Sequence, residues 1–219
     1  MYFTTLFFDV DDTLYPASTG LWEAIRHRID LYMHERLGIP WEDIPRLRQE
    51  YFEAYGTTLR GIEAHYKVDK EDYLAFVHDL PLEAYLKPDP ELRAVLESLP
   101  TRNLIFTNAD AAHARRVLAV LQLEDCFDGI LDVHAMAPYA KPQEEAFRRA
   151  LELAGERDPH RCVLLDDIPR TTRAARRFGF FSILVGVAGP SPDADATLTR
   201  WRDLPALLDG HHAGEGDSR

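Results

Sequence analysis

Short apolar runs recur along the chain at "YFTTLFF", "NLIFT", "GILDV", "CVLLD" and "FFSILVGV", and from the second run onward segments of helical period separate them. Leu92, Val95, Leu96 and Leu99 mark one helical face, and Ala114, Val117, Leu118 and Leu121 mark another. Phe147, Ala150, Leu151 and Ala154 mark a third, closed by Gly155 just past the C-cap, and "TTRAARRFG" stops at Gly179 in the same way. Strands alternating with helices predict an α/β fold of βαβ units, with a parallel sheet covered on both faces.

One region breaks the alternation. Residues 17–86 contain no convincing strand. "STGLWEAIRHRIDLYMHERLG" predicts a helix with a Ser/Thr cap, an apolar face at Trp22, Ile25, Ile29 and Tyr32, and Gly38 as its stop. Helical patterns follow at about 42–55 and 70–79, separated by a loop at "YGTTLRGI". The expected organisation is therefore a sheet core from residues 1–16 and 87–208, with a helical cap at 17–86 inserted after the first strand. The chain re-enters the core through "LKPDPEL", whose two prolines suit a hinge. The last residues, 209–219, lack apolar content and are expected to form a disordered tail.

Carboxylates interrupt the first apolar run. In "LFFDVDDTLYP", residues 6–16, the run meets Asp9, Asp11 and Asp12 before the chain turns at Tyr15-Pro16. Apolar residues favour burial and carboxylates favour water or a cation, and a buried strand that delivers acids to a metal at the sheet rim satisfies both. In an open parallel sheet, ligands bind outside the carboxyl ends of the strands. Four such ends carry useful groups: Asp9-Val10-Asp11, Thr107-Asn108, Lys141-Pro142 just before a helix, and Asp166-Asp167. Singly, each has a plainer reading: a helix cap for an acid or for Thr107-Asn108, a surface position for Lys141. In this order they make a hard-cation site with a hydroxyl and an ammonium beside it.

The composition narrows the partners. The chain has 219 residues, 46% of them hydrophobic, enough for one large domain or a domain with a small insert. A net charge of −12 argues against a nucleic-acid backbone or an anionic membrane as the main partner. It leaves room for a small anionic substrate, because a bound cation inverts the local field. Cys126 and Cys162 lie far apart without C-x-x-C spacing, which suits free thiols in a reducing compartment. Acids break the first apolar run, so no signal peptide is expected, and no run approaches the ~18 apolar residues of a spanning helix. A cytoplasmic location follows as the expectation; the residues set no oligomeric state.

The motifs strongly resemble those of the haloacid-dehalogenase-like superfamily of phosphohydrolases. "DVDDT" is similar to its D-x-D-x-T first motif, "FTN" to its Ser/Thr second motif, Lys141-Pro142 to the third and "LLDD" to the fourth. The resemblance covers residue 1 to about 208 and implies a Rossmann-like core with a helical cap. More narrowly, "YGTTLRGI", "FTNADAAHARRVL" and "CFDGI" resemble the pyrimidine 5′-nucleotidase-type subgroup. The resemblance implies that Asp9 attacks phosphorus and forms an aspartyl-phosphate. Asp11 then protonates the leaving oxygen and later deprotonates the hydrolytic water. Mg²⁺ is implied at the Asp9 carboxylate, the Asp11 backbone carbonyl and the fourth-motif acids, with Asp167 as direct ligand and Asp166 direct or water-bridged. Thr107 and Lys141 would bind the phosphoryl group, with Asn108 as a substrate contact; Arg60 would either contact substrate from the cap or stabilise a helix end. Crowding of four carboxylates and a phosphate dianion against Mg²⁺ and Lys141 is expected to raise some carboxyl pKa values and favour a protonated Asp11.

The implied function is hydrolysis of a small phosphorylated metabolite, nucleoside monophosphates first, with sugar phosphates or a phosphomutase reaction as alternatives. A receiver-type phospho-switch uses similar groups but is about 120 residues long, with its acceptor Asp on a middle strand; here the acids bracket the chain. An EF-hand reading of "DVDDTL" fails because Leu14 stands where that loop needs Gly. A dehalogenase would not be expected to keep Asp11, since halide leaves without a proton. A non-catalytic binding module would have little reason to retain every motif. Other residues take plainer readings. His113 is expected in a solvent or capping role, and the Arg pairs at 115–116, 148–149 and 176–177 on solvated helix faces. Trp22, Trp41 and Trp201 are expected in core or cap packing.

Overall fold

The computed structural model describes the backbone of residues 2–215 and the burial of residues 2–210. The predicted apolar runs form strands β1 (Thr5–Phe8), β2 (Arg102–Phe106), β3 (Gly129–Leu131), β4 (Cys162–Asp166) and β5 (Phe181–Val185). A further strand, β6 (Ala196–Leu198), is too short and too polar to stand out in the sequence. All pair in parallel, in the order β3-β2-β1-β4-β5-β6. This is the Rossmann-like α/β sheet that the alternating pattern predicts.

Side chains alternate across the sheet, so each strand feeds two cores. Leu6, Phe8, Ile105, Val163, Leu165 and Ile183 face one, and Phe7, Leu104, Phe106, Cys162 and Leu164 face the other. Between β1 and β2 stand α1 (Leu21–Glu35), α2 (Ile44–Tyr55), α3 (Thr58–His65) and α4 (Lys70–Val77), followed by α5 (Pro90–Ser98). Then come α6 (Ala111–Leu121), α7 (Val133–Met136), α8 (Glu144–Ala154), α9 (Pro169–Phe178) and α10 (Leu204–Glu215). The helical insert shares one apolar cluster with the first sheet face: Leu21, Ile25, Ile29 and Met33 of α1 belong to the same core as Phe8.

Several local expectations need correcting. The "YGTTLRGI" loop is largely helix α3, capped by the Thr57 hydroxyl, which accepts from the Arg60 N–H. Gly61 there allows close packing: a Cβ would lie 2.1 Å from Tyr51 Cγ. The N-cap of α1 is Gly20, although the Thr19 hydroxyl accepts from the Leu21 N–H. Trp22 is 39% exposed because α1 turns Leu21 and Ile25 inward instead; Trp41, in the turn before α2, is 44% exposed and stacks on His34, and Trp201 packs on Phe8. Helix α10 continues into residues 209–215, where a structureless tail is expected, and 216–219 lie outside the described residues. Gly155 and Gly179 end α8 and α9 in the left-handed region. Cys126 and Cys162 are free. Among the described residues, no helix is long and apolar enough to cross a membrane.

Candidate active site

β1 lies between β2 and β4, so the ends of these three strands open side by side at one rim. Past β1, the chain tightens into a turn in which the Thr13 and Leu14 N–H groups donate to Val10 O at 3.3 and 2.9 Å. Asp12 adopts a φ of 55° in that turn, a conformation that Asp tolerates better than most residues. The turn presents Asp9 and Asp11 to a cavity of about 460 Å³ between the sheet rim and the insert. Thr107, Asn108, Lys141, Asp166 and Asp167 line the same cavity, so the four predicted strand-end groups converge.

Lys141 sits between two acids. Its ammonium donates to Asp9 Oδ1 at 2.9 Å and to Asp166 Oδ2 at 2.7 Å, and all three residues are buried. Asp166 Oδ1 also accepts from the Ile168 N–H at 2.9 Å. Asp167 accepts from the Thr13 hydroxyl at 3.3 Å. Asp9, Asp166 and Asp167 each offer a carboxylate oxygen within 4.8 Å of the others, a set of hard donors that fits a divalent cation. The electrostatics agree. Burial pushes the Asp9 carboxyl up, Lys141 pulls it down and Asp166 and Asp11 push it up again, leaving it at about 7 against an ordinary 3.8. Burial and the charges of Asp9 and Asp166 hold Asp167 at about 8. Burial pulls the Lys141 ammonium down, but the two acids outweigh it and net its pKa is raised.

Asp11 stands in different company. Its Oδ1 accepts from the Tyr15 hydroxyl at 2.6 Å and lies 2.9 Å from His113 Nε2. Burial pushes this carboxyl up, but His113, Tyr15 and His78 outweigh it and bring it down to about 2. The expected protonated Asp11 is thus not what the surrounding residues favour; crowding raises Asp9 and Asp167 instead. His113 is correspondingly raised: burial lowers it, and Asp11 more than compensates. The expectation of a solvent or capping role for His113 is therefore corrected, since it is 1% exposed.

Of the two residues expected as substrate contacts, Asn108 lines the cavity and Arg60 does not. Asn108 uses its side-chain amide on the backbone of Lys141, accepting from its N–H at 2.9 Å and donating to its carbonyl at 3.0 Å. It fixes the lysine loop. Arg60 pairs with Glu63 at 2.9 Å and reaches Tyr139 O at 3.4 Å, away from the cavity lining. The insert instead lines the cavity with Trp22, Phe52 and Tyr73, and with Arg48 and Gln49 as polar groups. Thr107, fully buried, accepts from the Ala109 N–H at 3.0 Å. All six arginines of the three pairs are exposed, as expected, and several also bond: Arg116 donates to the carbonyls of His78 and Leu80 at 2.8 and 2.6 Å, and Arg148 pairs with Glu144 at 2.6 Å. Arg149 bonds Ala135 O, and Arg176 pairs with Asp195 at 2.9 Å. Tyr15, His78 and His113 are the site residues that sequence reasoning missed. The nearness of Tyr15 to Asp11 in the chain was the one available signal.

The sequence model of the haloacid dehalogenase-like hydrolase family matches residues 3–179. Phosphate metabolism protein 8 of Saccharomyces cerevisiae is 30% identical over 192 residues, covering 81% of this chain and 60% of that protein. The chain thus spans less than two thirds of the length of that relative. Among solved structures, the haloacid dehalogenase-like family protein SP0104 from Streptococcus pneumoniae superposes with a TM-score of 0.62 at 20% identity, covering 94% of this chain and 99% of that one. The putative hydrolase YfnB from Bacillus subtilis, solved bound to magnesium, gives 0.60 at 18% identity, again over 94% and 99%. At these identities the two structures show a shared fold.

Proposed function

Because the chain belongs to the haloacid dehalogenase-like hydrolases, we propose that it is a Mg²⁺-dependent phosphomonoesterase with Asp9 as nucleophile and nucleoside monophosphates among its substrates. The observation that carries this reading is the pairing of Asp9 and Asp11 on one cavity with opposite surroundings. Asp9 is fixed by Lys141 at 2.9 Å, and Asp11 is held by two donors on a single oxygen. A dehalogenase has no need of the second acid. Magnesium in the YfnB structure supports the choice of metal.

Asp9, Asp167 and the Asp11 backbone carbonyl would hold the Mg²⁺. Asp166 also accepts from Lys141 and from the Ile168 N–H, and it keeps lone pairs that would reach the ion directly or through water. When bound, the ion would offset the phosphate charge and draw the carboxylates together. Thr107 and Lys141 orient the phosphoryl group. An Asp9 oxygen forms the new bond to phosphorus as the ester P–O bond breaks, and Asp11 gives its proton to the leaving oxygen. Incoming negative charge beside Asp11 favours that protonated form over the ionised one. Asp11 then takes a proton from water as the water oxygen attacks phosphorus and the bond to Asp9 breaks. The helical insert acts as a cap that keeps bulk water out during both steps.

For the leaving group, the cap offers flat aromatic walls at Trp22, Phe52 and Tyr73 and donors at Arg48 and Gln49, a combination suited to a base and ribose. The test is phosphate release, with Mg²⁺ and with chelator, from nucleotides, sugar phosphates and a small aryl phosphate. Arg48→Met should lower kcat/KM for nucleotides by about tenfold more than for the aryl ester. Arg60→Ala should change both alike. No phosphate from any ester would end the reading. Sugar phosphates outpacing nucleotides would remove the nucleotide part alone.

A further inference from the structure

One face of α6 meets the end of the cap. Asp110, His113 and Arg116 stand three residues apart and so share that face. Asp110 Oδ1 lies 2.8 Å from His78 Nδ1, and Arg116 grips the carbonyls of His78 and Leu80 at 2.8 and 2.6 Å. The His78 and His113 rings stack with centroids 4.1 Å apart and planes at 15°. His78 is the residue that ends α4, where the cap turns back toward the sheet domain, and it lines the active-site cavity. A continuous chain of contacts therefore runs from the cap's last helix through His78 and His113 to Asp11.

We propose that His113 is a positioning residue for Asp11, and that His78 makes this positioning conditional on a closed cap. The proposal rests on the reading of Asp11 as general acid and base. Tyr15 and His113 converge on the same oxygen, Oδ1, which fixes the plane of the carboxylate and leaves Oδ2 to the reacting phosphoryl group. The imidazole is held at its edge by Asp11 and across its face by His78. When the cap swings away, His78 goes with it, one face of His113 loses its neighbour, and Arg116 loses both carbonyls. Asp11 is then less well aimed while the site is open to water. It is best aimed once substrate is enclosed.

The test compares His113→Leu, His113→Gln, His78→Ala and Asp11→Asn with wild type, in the presence of Mg²⁺, on an aryl phosphate and an alkyl phosphate. Aryl oxide leaves without a proton, so a mis-aimed Asp11 should spare formation of the phosphoenzyme and slow its hydrolysis. His113→Leu is expected to give a rapid burst of about one aryl oxide per site, followed by steady turnover slowed about 10²-fold, and no burst with the alkyl ester. His113→Gln keeps an N–H donor at similar reach and should recover to within about tenfold of wild type. His78→Ala should show the same pattern, weakened to about tenfold. A purely structural role would lower burst and steady rate together and would not be rescued by Gln; that result overturns the proposal, as does an inert His78→Ala. Asp11→Asn separates the levels. If it shows the burst pattern and His113→Leu does not, only this inference falls. If it leaves both substrates untouched, the acid–base reading falls and takes the inference with it.

Discussion

Asp9 and Asp11 leave the same strand with one residue between them, and their surroundings pull in opposite directions. Asp9 shares its one ammonium, Lys141, with Asp166 and faces Asp167 besides, so its carboxyl sits at about 7. Asp11 faces donors, His113 and Tyr15, and sits at about 2. Both are deeply placed, so burial alone raises each; the neighbours decide the net result. Those neighbours come from different parts of the fold. Asp9 is served by β4 and the loop before α8, the sheet rim itself. Asp11 is served by α6 and, through His78, by the end of the insert. One acid thus belongs to the rigid sheet and the other to the seam between sheet and insert. A rigid setting suits a nucleophile that must be aligned at all times. A seam suits a group whose task begins once substrate is enclosed.

The largest effect should come from the sheet side. Asp9→Asn should lower phosphate release at least about 10⁴-fold, since an amide neither attacks phosphorus nor offers a charged metal ligand. Thermal unfolding should be unimpaired, because the substitution removes a carboxylate that its acidic neighbours oppose. Residual turnover near wild type would break the comparison at its first term. Asp11→Asn should act differently. With an aryl phosphate it should slow hydrolysis of the phosphoenzyme by about 10²–10⁴-fold and let the intermediate accumulate. It should also lower Tm, since His113 and Tyr15 lose their charged partner. Equal loss of both chemical steps would erase the distinction between the two acids.

The next effect concerns pH and metal. Asp9 at about 7 and Asp167 at about 8 bind protons in the folded state that they release in the unfolded one. Stability from these groups is therefore full below their ordinary value and lost as pH rises through 7 to 8. Metal-free protein should show a Tm at least about 3 °C lower near pH 8 than near pH 5, and Mg²⁺ should recover more of it at the higher pH. Asp11 has the reverse sign: its contribution is present above its ordinary 3.8 and lost only as pH falls through about 2. Asp9→Asn should flatten the pH 5–8 slope, and Asp11→Asn should reduce it only in part, by removing one of the charges that raise Asp9. A slope that Asp9→Asn does not alter would place its origin outside the acid cluster.

How much of this was legible in the sequence follows the same division. The groups at the sheet rim occupy the ends of apolar strands, and parallel pairing around β1 brings such ends together by rule. Asp9, Thr107, Asp166 and Asp167 could therefore be named from the strings that hold them, and Lys141, in the loop before α8, from its Lys-Pro string. The seam has no such rule. His113 looks like any histidine one turn into a helix, and only the docking of α6 against residue 78 gives it a task. Arg116 is exposed as its sequence suggests, but nothing in the string tells that it also reaches the carbonyls of His78 and Leu80. Arg60 could be read either as a substrate contact or as a helix-end residue, and the structure takes the second: the Thr57 cap winds its string into α3, and the guanidinium turns to Glu63 and Tyr139. The same helix buries Gly61 on Tyr51, which composition would assign to flexibility. β6 escaped because "ATL" has no apolar run and gains its strand conformation by pairing with β5.

The smallest effect should come from Tyr15, and it sharpens the seam. Its hydroxyl and His113 Nε2 converge on one oxygen of Asp11, so the two donors share one task. They are not equivalent. Burial, and then the charge of Asp11, push the Tyr15 pKa up, so the hydroxyl keeps its proton across the working range and always donates. His113 donates only from an Nε2 that carries a proton, and its ring is held from the other side by His78. Tyr15→Phe removes the permanent donor and leaves the conditional one, while the ring keeps its place in the core. Asp11 should then lose one charge-assisted hydrogen bond, its carboxyl should move up toward the ordinary value, and kcat should fall by about three- to tenfold. The fall should be larger for an alkyl ester than for an aryl ester in phosphoenzyme formation, because only the former needs the proton. A loss as large as that of His113→Leu would make Tyr15 the principal support of Asp11 and reduce the histidine stack to packing.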